Sequence, residues 1–196
     1  MAVRDATATK ERILEAAFEE FATRGFAGSR VDEIADKAQC NKALLYQYYG
    51  DKEALFRQVL ECKMAGLQAI KENQDDFAEA AGEFFDFYAA NPWLPRMHMW
   101  EALDFGDAPV PNEPERAQKY NQHIDRMSDA QAAGKIDPAL DPRQTLVSLI
   151  GLIQIWFAAP QTARMICGGN PYSKEALKKR RAHVVDAARR ILEVRE

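Results

Sequence analysis

Apolar residues recur at helical spacing along most of the chain, and no stretch alternates as a strand would. The first stripe is Ile13, Leu14, Ala17, Phe18 and Phe21. It predicts a helix from about Thr9 to Arg24, stopped at Gly25. Residues 1 to about 8 read as a loose arm, although Arg4 and Lys10 stand within reach of a phosphate backbone. Ser29-Arg30-Val31-Asp32 fits a capping box, with Ser29 as N-cap. Val31, Ile34, Ala35 and Ala38 then mark one face of a short helix. Gln39, Cys40 and Asn41 make a turn, and Asn41 caps a second short helix, Lys42 to Tyr49. After Gly50, Asp51 caps a long helix running to about Asn73, with Leu55, Phe56, Val59, Leu60 and Leu67 inward.

The remainder is helical too. Asp75 to Ala90 carries Phe77, Ala81, Phe84, Phe85 and Tyr88, and Asn91-Pro92 ends it. Pro95 to Leu103 is short and dense in Met and aromatics. The proline-rich run 107–114 is a loop. Pro114 to about Ala133 follows, with Tyr120, Ile124 and Met127 on one side and Gly134 as its stop. Asp141-Pro142 is a strong helix start, opening Arg143 to Ala159, which Pro160 ends or kinks. Residues 167–171 are a second break, and Ser173 caps a final helix through about Val194. The expectation is an all-α protein of about nine helices: a head of residues 1–52 and a larger helical domain of residues 53–196.

Two short helices joined by a three-residue turn match the helix-turn-helix, whose second helix can lie in a DNA major groove. The outward residues of that helix are Lys42, Leu44, Gln47 and Tyr48, with Tyr46 at the margin. They supply a cation and polar groups, and no carboxylate. The same pattern equally fits a helical hairpin inside a bundle. Net charge is −4, and the first 52 residues hold eight Lys/Arg against nine Asp/Glu. Between Lys37 and Gly50, however, there are two lysines and no acid. Contact-face charge, rather than the total, sets affinity for DNA.

Three segments in order, "EEFATRGFAG", "VDEIADKA" and "LLYQYYGDKEALF", resemble the DNA-binding domain of the TetR family of transcriptional regulators. The likeness covers roughly residues 9 to 56. It implies a dimeric regulator, repression being the family's usual mode, that reads a palindromic operator in double-stranded DNA. Carried onto this chain, the DNA-contacting positions are Arg30, Asn41, Lys42, Ala43, Leu44, Tyr46, Gln47, Tyr48 and Lys52. Four positions depart from the family's pattern: Arg30 precedes Val31 in place of Ser or Thr, Leu44 replaces a small or hydroxyl residue, Tyr49 replaces Phe, and Asp51 replaces Ser.

The helix Arg143–Ala159 is apolar nearly all round (Leu146, Val147, Leu149, Ile150, Ile153, Ile155, Trp156, Phe157), so it needs cover on both sides. A second subunit is the simplest cover; burial within one subunit is the alternative. The resemblance implies a homodimer formed by Arg143–Ala159 and Ser173–Val194. It also implies a small-molecule effector. Tyr88, Trp93, Met97, His98, Trp100, Phe105, Tyr120, His123, Met127 and Trp156 are the candidate lining, suited to an apolar or aromatic ligand.

Other function classes fit poorly. Three scattered cysteines argue against a disulfide framework and for a reducing cytoplasm. No apolar run reaches the roughly 20 residues needed to span a bilayer, so no membrane partner is expected. No leader is evident. The three histidines lie in separate helices, no zinc spacing occurs, and phosphate-loop, G-x-S-x-G and dinucleotide signatures are absent. Neither a cofactor nor a metal is expected, and an enzyme is disfavoured. Lys178-Lys179-Arg180-Arg181 reads as a solvated helix face. The alternative to a regulator is a helical interaction or small-molecule-binding module without DNA binding.

Overall fold

The structure is a computed structural model that describes residues 2–68 and 76–194. The expected helix end at Asn73 and helix start at Asp75 lie outside the described residues, as do the side chains of Arg4 and Leu67. Among the described residues all regular structure is helical, in ten helices. They are α1 (Ala2–Gly28), α2 (Val31–Lys37), α3 (Lys42–Tyr49), α4 (Lys52–Gln68), α5 (Phe77–Ala90), α6 (Trp93–Phe105), α7 (Glu113–Ala132), α8 (Pro142–Ala158), α9 (Pro160–Cys167) and α10 (Lys174–Leu192). The chain divides into two compact units: Met1–Gln68 with Arg96–Asn112, and Ala69–Pro95 with Glu113–Glu196.

The first unit is built on α1. Its apolar stripe buries Ile13, Ala17 and Phe21 completely, and Ile34 of α2, Leu45 of α3 and Leu55 of α4 are equally buried in the same unit. Phe21 meets Phe56 edge-on, with ring centroids 5.0 Å apart. Each isoleucine, leucine or phenylalanine so removed from water stabilises the unit by about 1.5–3 kcal/mol. Two expectations are corrected here. The segment read as a loose arm is helical from Ala2. The capping box does not form: Arg30 is the N-cap of α2 and makes no side-chain cap bond, while Ser29 Oγ donates to the Phe26 carbonyl at 2.8 Å. Gly25 does break α1, through a backbone of φ 72°, ψ −179° that is essentially restricted to glycine.

In the second unit α5 lies along α10. They approach so closely at Gly82 that a Cβ there would stand 2.7 Å from Val185 Cγ2. Phe85 of α5 packs on Phe157 of α8, with centroids 5.0 Å apart. Asp76, Asp141 and Ser173 cap α5, α8 and α10 through their side chains, because each places an acceptor beside backbone N–H groups that have no partner within the helix. The expected count of about nine helices misses α9. Pro160 does end α8, but its fixed φ and missing donor also suit a first helical turn. It opens α9 at a bend of 85°. No single described helix is long and apolar enough to cross a membrane.

The basic run on α10 is only half solvated. Lys178 and Lys179 are exposed, whereas Arg180 and Arg181 are engaged. Arg180 donates to the Leu152 carbonyl at 2.7 Å and stands over the Trp156 ring at 5.4 Å. Arg181 pairs with Asp86 at 2.7 Å.

Candidate functional site

Helix α3 exists because Asn41 starts it and Gly50 ends it. Asn41 Oδ1 accepts from the Leu44 N–H at 2.7 Å, and Gly50 takes a positive φ of 83°. The turn before it is tight: Gln39 adopts φ 54°, and the Cys40 N–H returns to the Ala35 carbonyl at 3.0 Å. Leu45 is fully buried and locks the inner face. That orientation leaves Lys42, Ala43, Tyr46 and Gln47 exposed and Leu44 and Tyr48 half-buried. The helix therefore presents one continuous mixed surface of cation, aromatic and amide groups.

The bundle braces this surface from behind. Tyr49, where the family pattern has Phe, donates its hydroxyl to the Lys10 carbonyl of α1 at 3.0 Å. Burial pushes its pKa up to about 12, so it stays a neutral donor. Arg12 Nε donates to the Ala38 carbonyl at 3.2 Å, tying α1 to the C-terminus of α2. Glu20 is buried and pairs with Lys37 at 2.9 Å and Arg24 at 3.3 Å. Burial raises the Glu20 pKa, but the bond and charge of Lys37, with Arg24, outweigh it and hold the carboxyl below its ordinary value.

The cations of the surface are not all available as the family pattern implies. Arg30 is exposed. Lys42 Nζ lies 2.6 Å from Asp32 Oδ1, and the Asp32 hydrogen bond and charge raise its pKa despite some desolvation. Lys10 stands over the Tyr48 ring at 5.2 Å. Lys52 departs furthest from expectation. It is half-buried, donates to the Ser29 carbonyl at 2.8 Å, and lies over the Phe26 ring at 4.8 Å. Burial lowers its pKa, with Asp104 opposing. Asp51 caps α4 by accepting from the Ala54 N–H at 2.7 Å. A cleft of about 460 Å³ beside α3 is lined by Lys10, Tyr48, Tyr49 and Arg57 among others; it contains none of the expected effector residues.

The ten effector candidates are divided between the two units: Met97, His98, Trp100 and Phe105 belong to the first and the other six to the second. Trp100 and Phe105 pack on α1: Trp100 covers Gly25, and Phe105 lies 5.5 Å from Phe26. Met127 belongs to a core cluster with Ala130, Ile136 and Leu192. Trp156 is buried, with its indole N–H on the Pro171 carbonyl at 3.1 Å. Met97 is buried, and Trp93 and His98 are half-buried in α6. Three of the ten do converge in the second unit. Tyr88 accepts from Gln154 Nε2 at 3.1 Å, its hydroxyl held neutral by burial against a smaller lowering from Gln154, with Tyr120 adding to the rise. His123 of α7 meets Phe84 of α5 at 6.0 Å, and burial lowers its pKa. Phe84 and Gln154 were not among the sequence candidates. Their signal was helical spacing: Phe84 is one turn before Tyr88, and Gln154 is the polar interruption in an apolar helix.

A capped, outward-facing second helix on a compact three-helix support defines a helix-turn-helix protein. Family models match both parts of the chain: residues 13–59 match "Bacterial regulatory proteins, tetR family", and residues 76–190 match "Tetracyclin repressor-like, C-terminal domain". The chain belongs to the TetR family of transcriptional regulators. It is similar to the HTH-type transcriptional repressor SCO4008 of Streptomyces coelicolor, 39% identical over 194 residues, which covers 98% of this chain and 100% of that protein. The crystal structure of SCO4942 from the same organism aligns with a TM-score of 0.80 at 31% identity, covering 95% of this chain and 99% of the other. The regulator FadR of Bacillus subtilis, solved with stearoyl-CoA, shares the fold with a TM-score of 0.68 at 18% identity, over 94% and 100% of the two chains. The family is one of DNA-binding regulators and not of enzymes.

Proposed function

We propose that this regulator is a cytoplasmic homodimeric repressor. It reads a palindromic operator with α3 and releases it when a small apolar or aromatic molecule binds the helical domain. Residues 1–52 carry the reading surface, and residues 53–196 carry effector binding and dimerisation. The observation that carries the DNA reading is the outward face of α3: Lys42, Ala43, Tyr46 and Gln47 exposed, Leu44 and Tyr48 beside them, and Leu45 alone turned into the core. Lys42, Tyr46 and Tyr48 supply phosphate donors, Gln47 an amide for a base edge, and Leu44 a surface for a thymine methyl. Arg30, exposed at the start of α2, and the N-terminus of α3 capped by Asn41 are further candidates for phosphate.

The effector reading rests on the α5–α7–α8 cluster of Phe84, Tyr88, Tyr120, His123 and Gln154. Aromatic walls, a neutral imidazole and a phenol–amide pair suit an aromatic or acyl ligand with one hydrogen-bonding group. Occupancy there would favour a conformer in which the two reading surfaces no longer match the half-site spacing. The dimer reading rests on α8, where Val147 and Ile155 are 66% and 51% exposed. They lie on one face with Gly151 between them, and nothing stands within 4 Å of a Cβ built at that glycine.

The test is selection of bound duplexes from a random library, repeated with aromatic and acyl compounds present. A two-fold motif whose binding weakens steeply with salt is expected. Recovery of no enriched sequence would overturn the reading and favour a binding module without DNA.

A further inference from the structure

In the first unit nearly every cation already has an intramolecular acceptor. Arg24 and Lys37 are on Glu20, Arg12 is on the Ala38 carbonyl, and Lys52 is on the Ser29 carbonyl. Arg57 is near Glu53, and Lys63 is on Glu15. Lys10 lies over Tyr48. Among the described side chains of residues 6–63, Arg30 is the one lysine or arginine with neither an anionic or carbonyl acceptor nor a ring. Among the cations held by a carboxylate, Lys42 is the one on the reading surface, and both partners are exposed. It is 48% exposed and Asp32 is 67% exposed, so their contact at 2.6 Å is open to exchange with an incoming anion.

We propose that Asp32 is a built-in phosphate surrogate: it holds Lys42 in the DNA-free protein and must be displaced by a DNA phosphate when α3 docks. This rests on the DNA-binding reading of α3. Asp32 sits in the first turn of α2, where a carboxylate is favoured by the helix dipole. Lys42 sits in the first turn of α3, where a cation is disfavoured by the same effect. The pair relieves the misplaced lysine and orients its ammonium. On DNA, Lys42 trades one anion for another, so phosphate contact alone gains little. Binding then depends on what the base edges and the second subunit add. Asp32 therefore lowers affinity for any duplex and shallows its salt dependence, because the freed carboxylate recovers a counterion as the DNA loses one.

The test compares wild type with Asp32→Asn, Asp32→Glu, Lys42→Ala and the Asp32→Asn/Lys42→Ala double variant. Each is titrated with the selected operator and with a random duplex over a range of salt. Asp32→Asn is expected to bind both duplexes about two- to fivefold more tightly per reading surface at low salt, as for release of an exposed ion pair. It should show a steeper salt slope and an unfolding midpoint lowered only slightly, since the exposed pair it removes stabilises the DNA-free fold only weakly. Asp32→Glu should behave as wild type, and the gain should vanish in the Lys42→Ala background. An equal gain in that background would mean that Asp32 acts by its own repulsion, and no gain at all would mean that Lys42 does not exchange; either overturns the proposal. Wild-type protein that binds no duplex would instead sink the DNA-binding reading itself.

Discussion

The Trp100 ring occupies the space that a side chain on Gly25 would need. A Cβ at Gly25 would stand 2.8 Å from Trp100 Cε3 and 3.0 Å from Asp104 Oδ2. Two requirements therefore meet at one residue: a backbone conformation open almost only to glycine, and a surface on which α6 can close. Asp104 completes the contact by accepting from the Ala27 N–H at 2.9 Å, one of the donors exposed where α1 breaks. Gly25→Ala should destabilise the protein by about 2–4 kcal/mol, the sum of left-handed strain and overpacking. Trp100→Ala removes the overlap but not the strain and loses the packing of the ring, so the double variant should lose less stability than the two single losses added together. Urea unfolding of the two single variants and the double variant checks this. A Gly25→Ala protein of wild-type stability would show that α6 does not close on this glycine.

Lys52 stands where the family pattern implies a phosphate contact, yet its ammonium is used by the fold, on the Ser29 carbonyl and the Phe26 ring. Lys52→Met keeps the aliphatic stem and removes the donors. It should cost about 1–2 kcal/mol of stability while leaving the salt slope of operator binding unchanged. A phosphate ligand would instead lower that slope by roughly one unit per contact. A variant that loses slope but not stability would return Lys52 to the DNA surface.

Lys52 also marks where local reading of the chain gives way to tertiary structure. Helix starts were legible because capping is local: Asn41, Asp51, Asp141 and Ser173 each accept from an N–H two or three residues on. The outward face of α3 was legible only in part: Lys42 and Gln47 are exposed as the spacing implies, but Tyr46, placed at the margin, is exposed as well, and Leu44 and Tyr48, placed outward, are half-buried. Whether a cation or aromatic ring on such a helix is free cannot be read locally. Trp100 and Phe105 had the composition of a pocket wall and became the cover of Gly25 and Phe26. The clue was Gly25 itself, a position without a side chain that a large partner had to fill. The capping box failed because Ser29 turned back to Phe26, and α9 was missed because a proline that ends one helix can begin the next.

Glu20 makes acid stability a readout of the support under α3. Its folded pKa lies below the ordinary 4.5 because Lys37 and Arg24 outweigh the cost of burial. Its contribution is therefore present above that value and lost as pH falls through the lower folded one. Glu20→Gln should be less stable at neutral pH by about 1–3 kcal/mol, since Lys37 loses its charged partner at a buried site. The variant should also lose less stability than wild type on going from neutral to acid. Denaturant midpoints measured across that range test both statements. Parallel pH curves would mean that Glu20 titrates as it does in the unfolded chain.

Ile155 offers the cleanest test of the dimer. It is 51% exposed on a helix whose opposite face, with Leu149, Ile153 and Phe157, is already buried in its own unit. Truncation of a core residue would confuse folding with association, but a charge at Ile155 touches only the uncovered face. Ile155→Arg should therefore leave the unfolding of the monomer nearly unchanged and convert a micromolar dimer to monomer in sedimentation. Two arginines would be buried against each other across a two-fold axis without an anion to pair them. Operator affinity should fall with it, because paired half-sites require paired reading surfaces. Val147→Arg, two turns earlier on the same face, should act in the same direction. Were both variants to sediment as wild-type dimers, the Val147–Gly151–Ile155 face would not be where two copies of this chain meet.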